Sequence, residues 1–435
     1  MSRLIRIALI AACCAAAAAH AQTELVIATV NNRQMIEMQK LTPAFEKQNP
    51  DIKVKWVTLE ETVLRQRLTT DISTKGGQFD IMTIGMYETP LWAKQGWLKE
   101  IKPDANYDID DLLPSIRAGM SQDGKLYAAP FYGESSFTMY RTDLARSAGV
   151  SLPEAPTYTD IRNFAAKVNN PAKGVYGICL RGKPSWGENM AYVTTLVNVY
   201  GGQWFDMQWK PQVDSKPWHD AINFYVDLMK KYGPPGASAN GFNENLTLFV
   251  EGKCGIWIDA TSAAGSVSDP KFSKVHDVVG FAKAPSAVTE KGSGYAWSWG
   301  LAIPASTTKE AAAQKFINWA TSKAYVQLVA DTDGWIVVPT GNRRSTYAYP
   351  EFQKVSKFGA MELIAIQSVD PSDATLPKSP YKGVQFAEIP EFQSIGTSVG
   401  QQISAALAGK ETVDSALKAG QQIADREMRR AGYYK

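Results

Sequence analysis

The stretch LVIATVNNRQMIEMQKLTPAFEKQNPDIKVKWVTLEETVLRQRLTTDISTKGGQFDIMTI, residues 25–84, decides the fold. It opens on Leu25-Val26-Ile27-Ala28, a short apolar run of strand type. From Gln34 to Gln48, Met35, Met38, Leu41 and Phe45 fall on one helical face, and Asn49-Pro50 stops the pattern. Ile52, Val54 and Trp56 then alternate with Lys53 and Lys55, the period of a half-buried strand. A second helical pattern runs from Glu61 to Thr74 and ends at Gly76-Gly77; a third strand covers Phe79 to Ile84. Strand, helix, strand, helix, strand predicts a parallel sheet, because parallel neighbours need a crossover and the crossover helices cover the sheet.

Downstream the pattern continues less regularly. Tyr158 to Val168 reads as a helix leading to a strand at Val175 to Leu180, and Glu188 to Tyr200 as a helix ended by Gly201-Gly202. Pro217 to Lys231 is a helix with proline in its first turn. Thr307 and Glu310 form a candidate capping box for one long helix reaching Val329, and Ser394 to Arg430 is helical and charged. A single core rarely grows beyond about 250–300 residues, so two lobes are expected.

The N-terminus reads as an export signal. Arg3 and Arg6 precede the apolar run Ile7 to Ala19, and Ala19-His20-Ala21 carries small residues at the cleavage positions. The run is too short to span a membrane. Ile10-Ala11-Ala12-Cys13 has the form of a lipoprotein processing site, but the apolar run continues past it, which argues for free export over a lipid on Cys13. Loss of Arg3 and Arg6 would lower the net charge from +3 to +1, so nothing points to nucleic acid or an anionic membrane surface. Two cysteines would remain, Cys179 and Cys254; an oxidising compartment permits a disulfide between them, but spacing alone does not place them within reach.

Catalytic patterns are weak. His219 and His276 have no second ligand at metal spacing, so no metal site and no cofactor are expected. Ala296-Trp297-Ser298-Trp299-Gly300 has bulky tryptophans where a nucleophile elbow needs small neighbours. Asp104-Ala105-Asn106-Tyr107-Asp108 starts like a calcium loop but has Ile109 where glycine is required; Asp108 or Asp110 as cap of a helix at Leu112 is the better account. The twelve tryptophans are more telling, because several lie beside planar polar groups: Trp186 near Glu188 and Asn189, Trp257 near Asp259, and Trp297 near Trp299. Flat rings cover the C–H faces of sugars and polyols while carboxylates, amides and guanidinium groups bond neighbouring hydroxyls.

Three stretches carry a family resemblance: Gly77-Gln78-Phe79-Asp80-Ile81-Met82, Leu126-Tyr127-Ala128-Ala129-Pro130-Phe131-Tyr132-Gly133-Glu134, and Phe249-Val250-Glu251-Gly252-Lys253-Cys254-Gly255-Ile256-Trp257-Ile258-Asp259. With them the chain resembles the extracellular solute-binding proteins of bacterial ABC importers, the family that includes the maltose-binding protein. Ala28-Thr29-Val30-Asn31-Asn32-Arg33-Gln34, Leu180-Arg181-Gly182-Lys183-Pro184-Ser185-Trp186-Gly187-Glu188-Asn189 and Pro380-Tyr381-Lys382-Gly383-Val384-Gln385-Phe386 look like its sorbitol- and mannitol-binding branch. The resemblance implies a two-lobe α/β periplasmic binding protein fold of type II, each lobe a mostly parallel sheet flanked by helices, with the ligand cleft between. It implies lobes at 22–132 plus 299–340 and 133–298 plus 341–435, and crossings near Pro130 to Glu134, Tyr295 to Gly300 and Val338 to Arg344. Carried over residue by residue, it implies ligand contacts from Asn31, Asn32, Gln34, Tyr87, Glu88, Glu134, Trp186, Glu188, Asp259, Trp297, Trp299 and Arg344. The function implied is a periplasmic, monomeric binding component with no catalysis, delivering a polyol or small sugar to membrane permease subunits. A secreted carbohydrate-active hydrolase shares the export signal and the aromatics, but no carboxylate spacing supports it.

Overall fold

A computed structural model of the protein describes residues 22–435. The expected leader at 1–21, with Cys13, lies outside the described residues. β1 (Thr23–Val30), α1 (Arg33–Gln48), β2 (Ile52–Leu59), α2 (Glu61–Thr74) and β3 (Ile81–Gly85) follow the order read from sequence. β1 pairs in parallel with β2 along its length and with β3 at Ile27 and Ala28. α1 buries Met35, Met38, Leu41 and Phe45 and starts where the Asn32 side chain accepts the Met35 amide. α2 is capped by Glu60, whose carboxylate accepts the Thr62 and Val63 amides.

After α3 (Glu88–Lys94), β4 (Leu98–Lys99) and β5 (Ala128–Glu134), the chain passes Ser135 and enters a second sheet at β6 (Ser136–Arg141). That lobe is built from α4 (Tyr158–Val168), β7 (Tyr176–Cys179), α5 (Asn189–Val199), α6 (Lys216–Tyr232), α7 (Phe242–Val250), β8 (Cys254–Ala260) and β9 (Val279–Lys283). β10 (Trp297–Pro304) returns to the first sheet. The larger sheet has the order β2-β1-β3-β10, with β4 and β5 both paired to β10; the smaller is β9-β6-β8-β7. Both sheets are mixed, where mostly parallel ones were expected: among the named strands parallel pairing is confined to β1–β2, β1–β3 and β7–β8, because β10 comes back from the other lobe and runs against each of its neighbours in the larger sheet, and β6 runs against both β8 and β9 in the smaller. Trp297 pairs with Glu134 and Ser298 with Gly133, so these four residues belong to the larger sheet and the ladder reaches the last residue before the crossing.

The third crossing lies against β5. The Gly133 amide donates to the Thr340 carbonyl at 2.9 Å, and Asn342 Nδ2 donates to the Phe131 carbonyl at 2.8 Å. Gly341 sits at φ 75°, and a Cβ there would lie 1.9 Å from the Gly133 oxygen, so only glycine permits this approach.

Some expectations on helices are corrected. The long helix after Thr307 is two, α8 (Glu310–Ala320) and α9 (Lys323–Asp333), because Ser322 opens a new cap on the Tyr325 amide. Thr307 makes no capping box with Glu310: its hydroxyl donates to Asp80, and Glu310 pairs with Lys99. α10 (Gly359–Gln367) packs against strands of both sheets. The tail divides into α11 (Phe392–Leu407) and α12 (Val413–Arg430) at Gly409, φ 74°. Neither Asp108 nor Asp110 caps a helix; Asp108 pairs with Lys323, Asp110 with Arg117, and the helix starts at Pro114. Cys179 and Cys254, on adjacent strands β7 and β8, are bonded with Cα atoms 5.9 Å apart. Among the described residues, no helix is long and apolar enough to cross a membrane.

Candidate functional site

The ends of the strands converge on a cleft between the lobes. In open α/β sheets, strand ends and helix starts are where ligands meet free backbone groups and side chains. The larger lobe contributes the loop after β1, the start of α2, Tyr132 and Glu134 of β5, and Trp297 and Trp299 of β10. The smaller contributes the segment after β7 from Arg181 to Glu188, the start of α7, and Ser262 after β8.

Two arginines organise the cleft. Arg65 projects from α2 and bonds Glu61 one turn earlier, at 2.9 Å, and Glu88 at the start of α3. Its guanidinium carbon lies 4.2 Å from the Trp186 ring, 4.6 Å from Trp299 and 4.9 Å from Trp297. Burial pulls its pKa down, but Glu88 and Glu61 more than offset this, and the net shift is upward. Arg181, just beyond β7, grips Asp259 of β8 with Nε and Nη2 (2.9 and 2.6 Å) and reaches Glu188 at 3.4 Å. Asp259 also accepts the Trp257 indole N–H at 3.0 Å. Burial lowers the Arg181 pKa, and Asp259 first among its neighbours drives it well above the ordinary value.

Buried carboxyls face these cations. Glu134 accepts the Ser262 hydroxyl, and burial pushes its pKa up to about 8 against the pull of Ser262 and Arg181. Glu188 accepts the Phe242 amide at 3.0 Å and is likewise raised by burial, with Arg181 opposing. Gly187 lets the lobes approach here: a Cβ on it would lie 2.2 Å from Glu61 Oε1. Among the described residues, three buried polar atoms of the cleft lining make no hydrogen bond: Trp186 Nε1, the Tyr295 hydroxyl and Gln385 Oε1.

Contacts at the rim join the lobes. Lys183 Nζ bonds Glu60 at 2.8 Å, so one carboxylate caps α2 and holds the opposite lobe. Arg33 pairs with Asp269 and stacks 4.4 Å from the Phe272 ring. Asn243 Nδ2 donates to the Asn31 carbonyl at 3.2 Å.

Of the residues named from sequence, Asn31, Asn32, Glu134, Trp186, Glu188, Trp297 and Trp299 line the cleft. Asn32 does so while capping α1 and donating to the Tyr132 hydroxyl at 2.8 Å. Five are placed elsewhere. Glu88 and Asp259 stand one shell behind, as anchors of Arg65 and Arg181. Tyr87 supports Trp186 from behind, rings 4.8 Å apart, and its hydroxyl donates to the Ile389 carbonyl. Gln34 donates to the Ser262 carbonyl in a separate depression. Arg344 lines another surface hollow with Asp110 and Arg117; the buried arginine of that pair is Arg343, bonded to the Thr321 carbonyl and stacked on Tyr107.

Sequence reasoning missed Glu60, Glu61, Arg65, Tyr132, Arg181, Lys183, Tyr295 and Gln385. The expected contacts follow β1 and β3, whereas Glu60 and Glu61 follow β2. Arg65 lies one turn after Glu61 on the same helix face, a spacing that marks an ion pair along the helix but not its place in the cleft.

Two α/β lobes crossed three times by the chain, with a polar and aromatic cleft between them, define the two-lobe periplasmic binding protein fold. The chain belongs to the bacterial extracellular solute-binding protein family, whose profile matches residues 32–327. It is 53% identical to the mannitol-binding protein of Pseudomonas aeruginosa over 437 residues, the full length of both chains. An ABC transporter solute-binding protein from Agrobacterium vitis S4, solved with bound D-mannitol, is 59% identical, with a TM-score of 0.94 over 95% of this chain and 100% of that one. A protein of the same class from Agrobacterium radiobacter K84, in complex with ribitol, is 24% identical with a TM-score of 0.81, over 93% and 98% of the two chains, and shares the fold.

Proposed function

We propose that the protein captures a linear polyol of the mannitol and sorbitol type outside the cytoplasm and passes it to the membrane permease of an ABC importer, working as a monomer. The observation that carries this is the composition of the cleft: tryptophan rings at Trp186, Trp297 and Trp299 beside the guanidinium–carboxylate groups of Arg65 and Arg181. Rings cover the carbon chain, and the charged pairs bond adjacent hydroxyls in fork geometry. Asn31, Asn32, Glu134 and Glu188 add acceptors and donors on both lobes, and Trp186 Nε1 and the Tyr295 hydroxyl offer donors with no internal partner. A ligand that bonds both lobes is bound better in the closed arrangement, and that difference drives hinge closure. Similarity to proteins named for or crystallised with mannitol supports the choice of a hexitol. Calorimetry with D-mannitol, D-sorbitol, D-arabitol, D-glucose and maltose tests it. Mannitol or sorbitol should bind tightest; no heat with any polyol would refute the ligand class.

A further inference from the structure

We propose that the cleft also reads charge: it takes polyols that carry an amine and rejects those that carry a carboxylate. This rests on the polyol reading of the same cleft. Three cations, Arg65, Arg181 and Lys183, stand against seven carboxyl groups in or directly behind the cleft wall, Glu244 at the start of α7 among them. Arg65 is shared by Glu61 and Glu88, Arg181 by Glu188 and Asp259, and Lys183 holds Glu60. Glu134 makes no ion pair among the described residues; its one protein donor is the Ser262 hydroxyl, which leaves an oxygen free.

A second observation points the same way. Gln385 is 3% exposed, and its Nε2 donates to the Ala296 carbonyl at 2.7 Å, which fixes Oε1 as an acceptor with no protein donor. Tyr295, 4% exposed, lies within the field of Glu134, Arg181 and Asp259 and has an unpartnered hydroxyl. Beside one unfilled donor, Trp186 Nε1, the wall thus presents an unfilled acceptor at Gln385, a Tyr295 hydroxyl that can accept as well as donate, and more carboxyl groups than cations. An ammonium group supplies three donors and one positive charge and favours the ionised form of Glu134, whose pKa burial otherwise holds up at about 8, whereas a carboxylate supplies neither and enters a buried wall where carboxyl groups outnumber cations and screening is weak.

The test uses three ligands on one carbon chain: D-mannitol, its terminal aminodeoxy analogue and D-mannonate, by calorimetry and thermal shift at neutral pH. The amine should bind within about tenfold of mannitol, and mannonate about a hundredfold more weakly or worse. In Glu134→Gln the amine should lose about tenfold relative to mannitol. Mannonate binding as well as the amine overturns the inference, whatever mannitol does, and needs no variant to be seen. Failure of mannitol alone removes the hexitol reading, while the order of amine and acid still decides this one. If none of the three binds, both fall.

Discussion

Arg65 does two separable jobs, and a double-mutant cycle with Trp186 separates them. Its ion pairs run to Glu61 and Glu88 within the larger lobe, but the ring 4.2 Å from its guanidinium belongs to the smaller one. Arg65→Leu leaves Glu88, 2% exposed, without its cation, and breaking a buried pair costs about 3–5 kcal/mol of folding stability. That loss is read by urea unfolding of the ligand-free protein. The stack on Trp186 is buried on both sides, where a cation–π contact contributes about 2 kcal/mol. It forms across the lobes, so its loss appears in ligand affinity as about thirtyfold. Calorimetry on the wild type, Arg65→Leu, Trp186→Leu and the double variant gives the coupling directly. Affinity losses that add to within about 0.5 kcal/mol would show that the two side chains do not cooperate in closure, and the reasoning fails.

The Cys179–Cys254 bridge closes a loop of 75 residues, so changing both cysteines to alanine should cost about 4 kcal/mol, checked by urea unfolding. Glu362 is buried at the junction, accepting bonds from Tyr347 at 2.9 Å and Thr340 at 3.0 Å, and burial raises its pKa from 4.5 to about 7. Below pH 4.5 both states hold the proton; above it the unfolded state alone ionises, so stability should fall by about 3 kcal/mol as pH rises to 7. A pH series in which Glu362→Gln keeps the same slope would contradict this. Gly341→Ala should displace the third crossing from β5, lowering the melting temperature by several degrees and weakening ligand binding, since its Cβ meets the Gly133 carbonyl. Lys183→Ala removes a half-exposed pair with Glu60 and should cost at most about 1 kcal/mol of ligand affinity, an effect that vanishes at high salt.

The elements with strong periodicity were legible in sequence. α2 and α4 fall on the residues expected, because caps and apolar spacing agree there. The division of α8 from α9 was not, because Ser322 can cap as readily as it can sit in a helix, and only the packing of Tyr325 and Val326 decides. The cleft was half legible. Residues immediately after β1, β5 and β7 were within reach of the strand-end rule. Arg65 was not, because a mid-helix arginine looks like a solvated one until the tryptophans of β10 arrive from more than two hundred residues away. Choosing Arg344 over Arg343 shows the same limit: neighbouring side chains point to opposite surroundings, and sequence does not say which is inward.

β10 sits between β3 and the pair β4 and β5, yet it is made last among the strands of its sheet. Until residues 297–304 emerge, β3 has an open edge and β5 has no partner in the sheet. The larger lobe therefore cannot finish folding from its N-terminal half alone, and its assembly waits until Pro304, about seven tenths of the way along the 435 residues. Such a late keystone strand makes completion of the larger sheet depend on contacts far apart in sequence, which slows its closure relative to a sheet built from neighbouring strands.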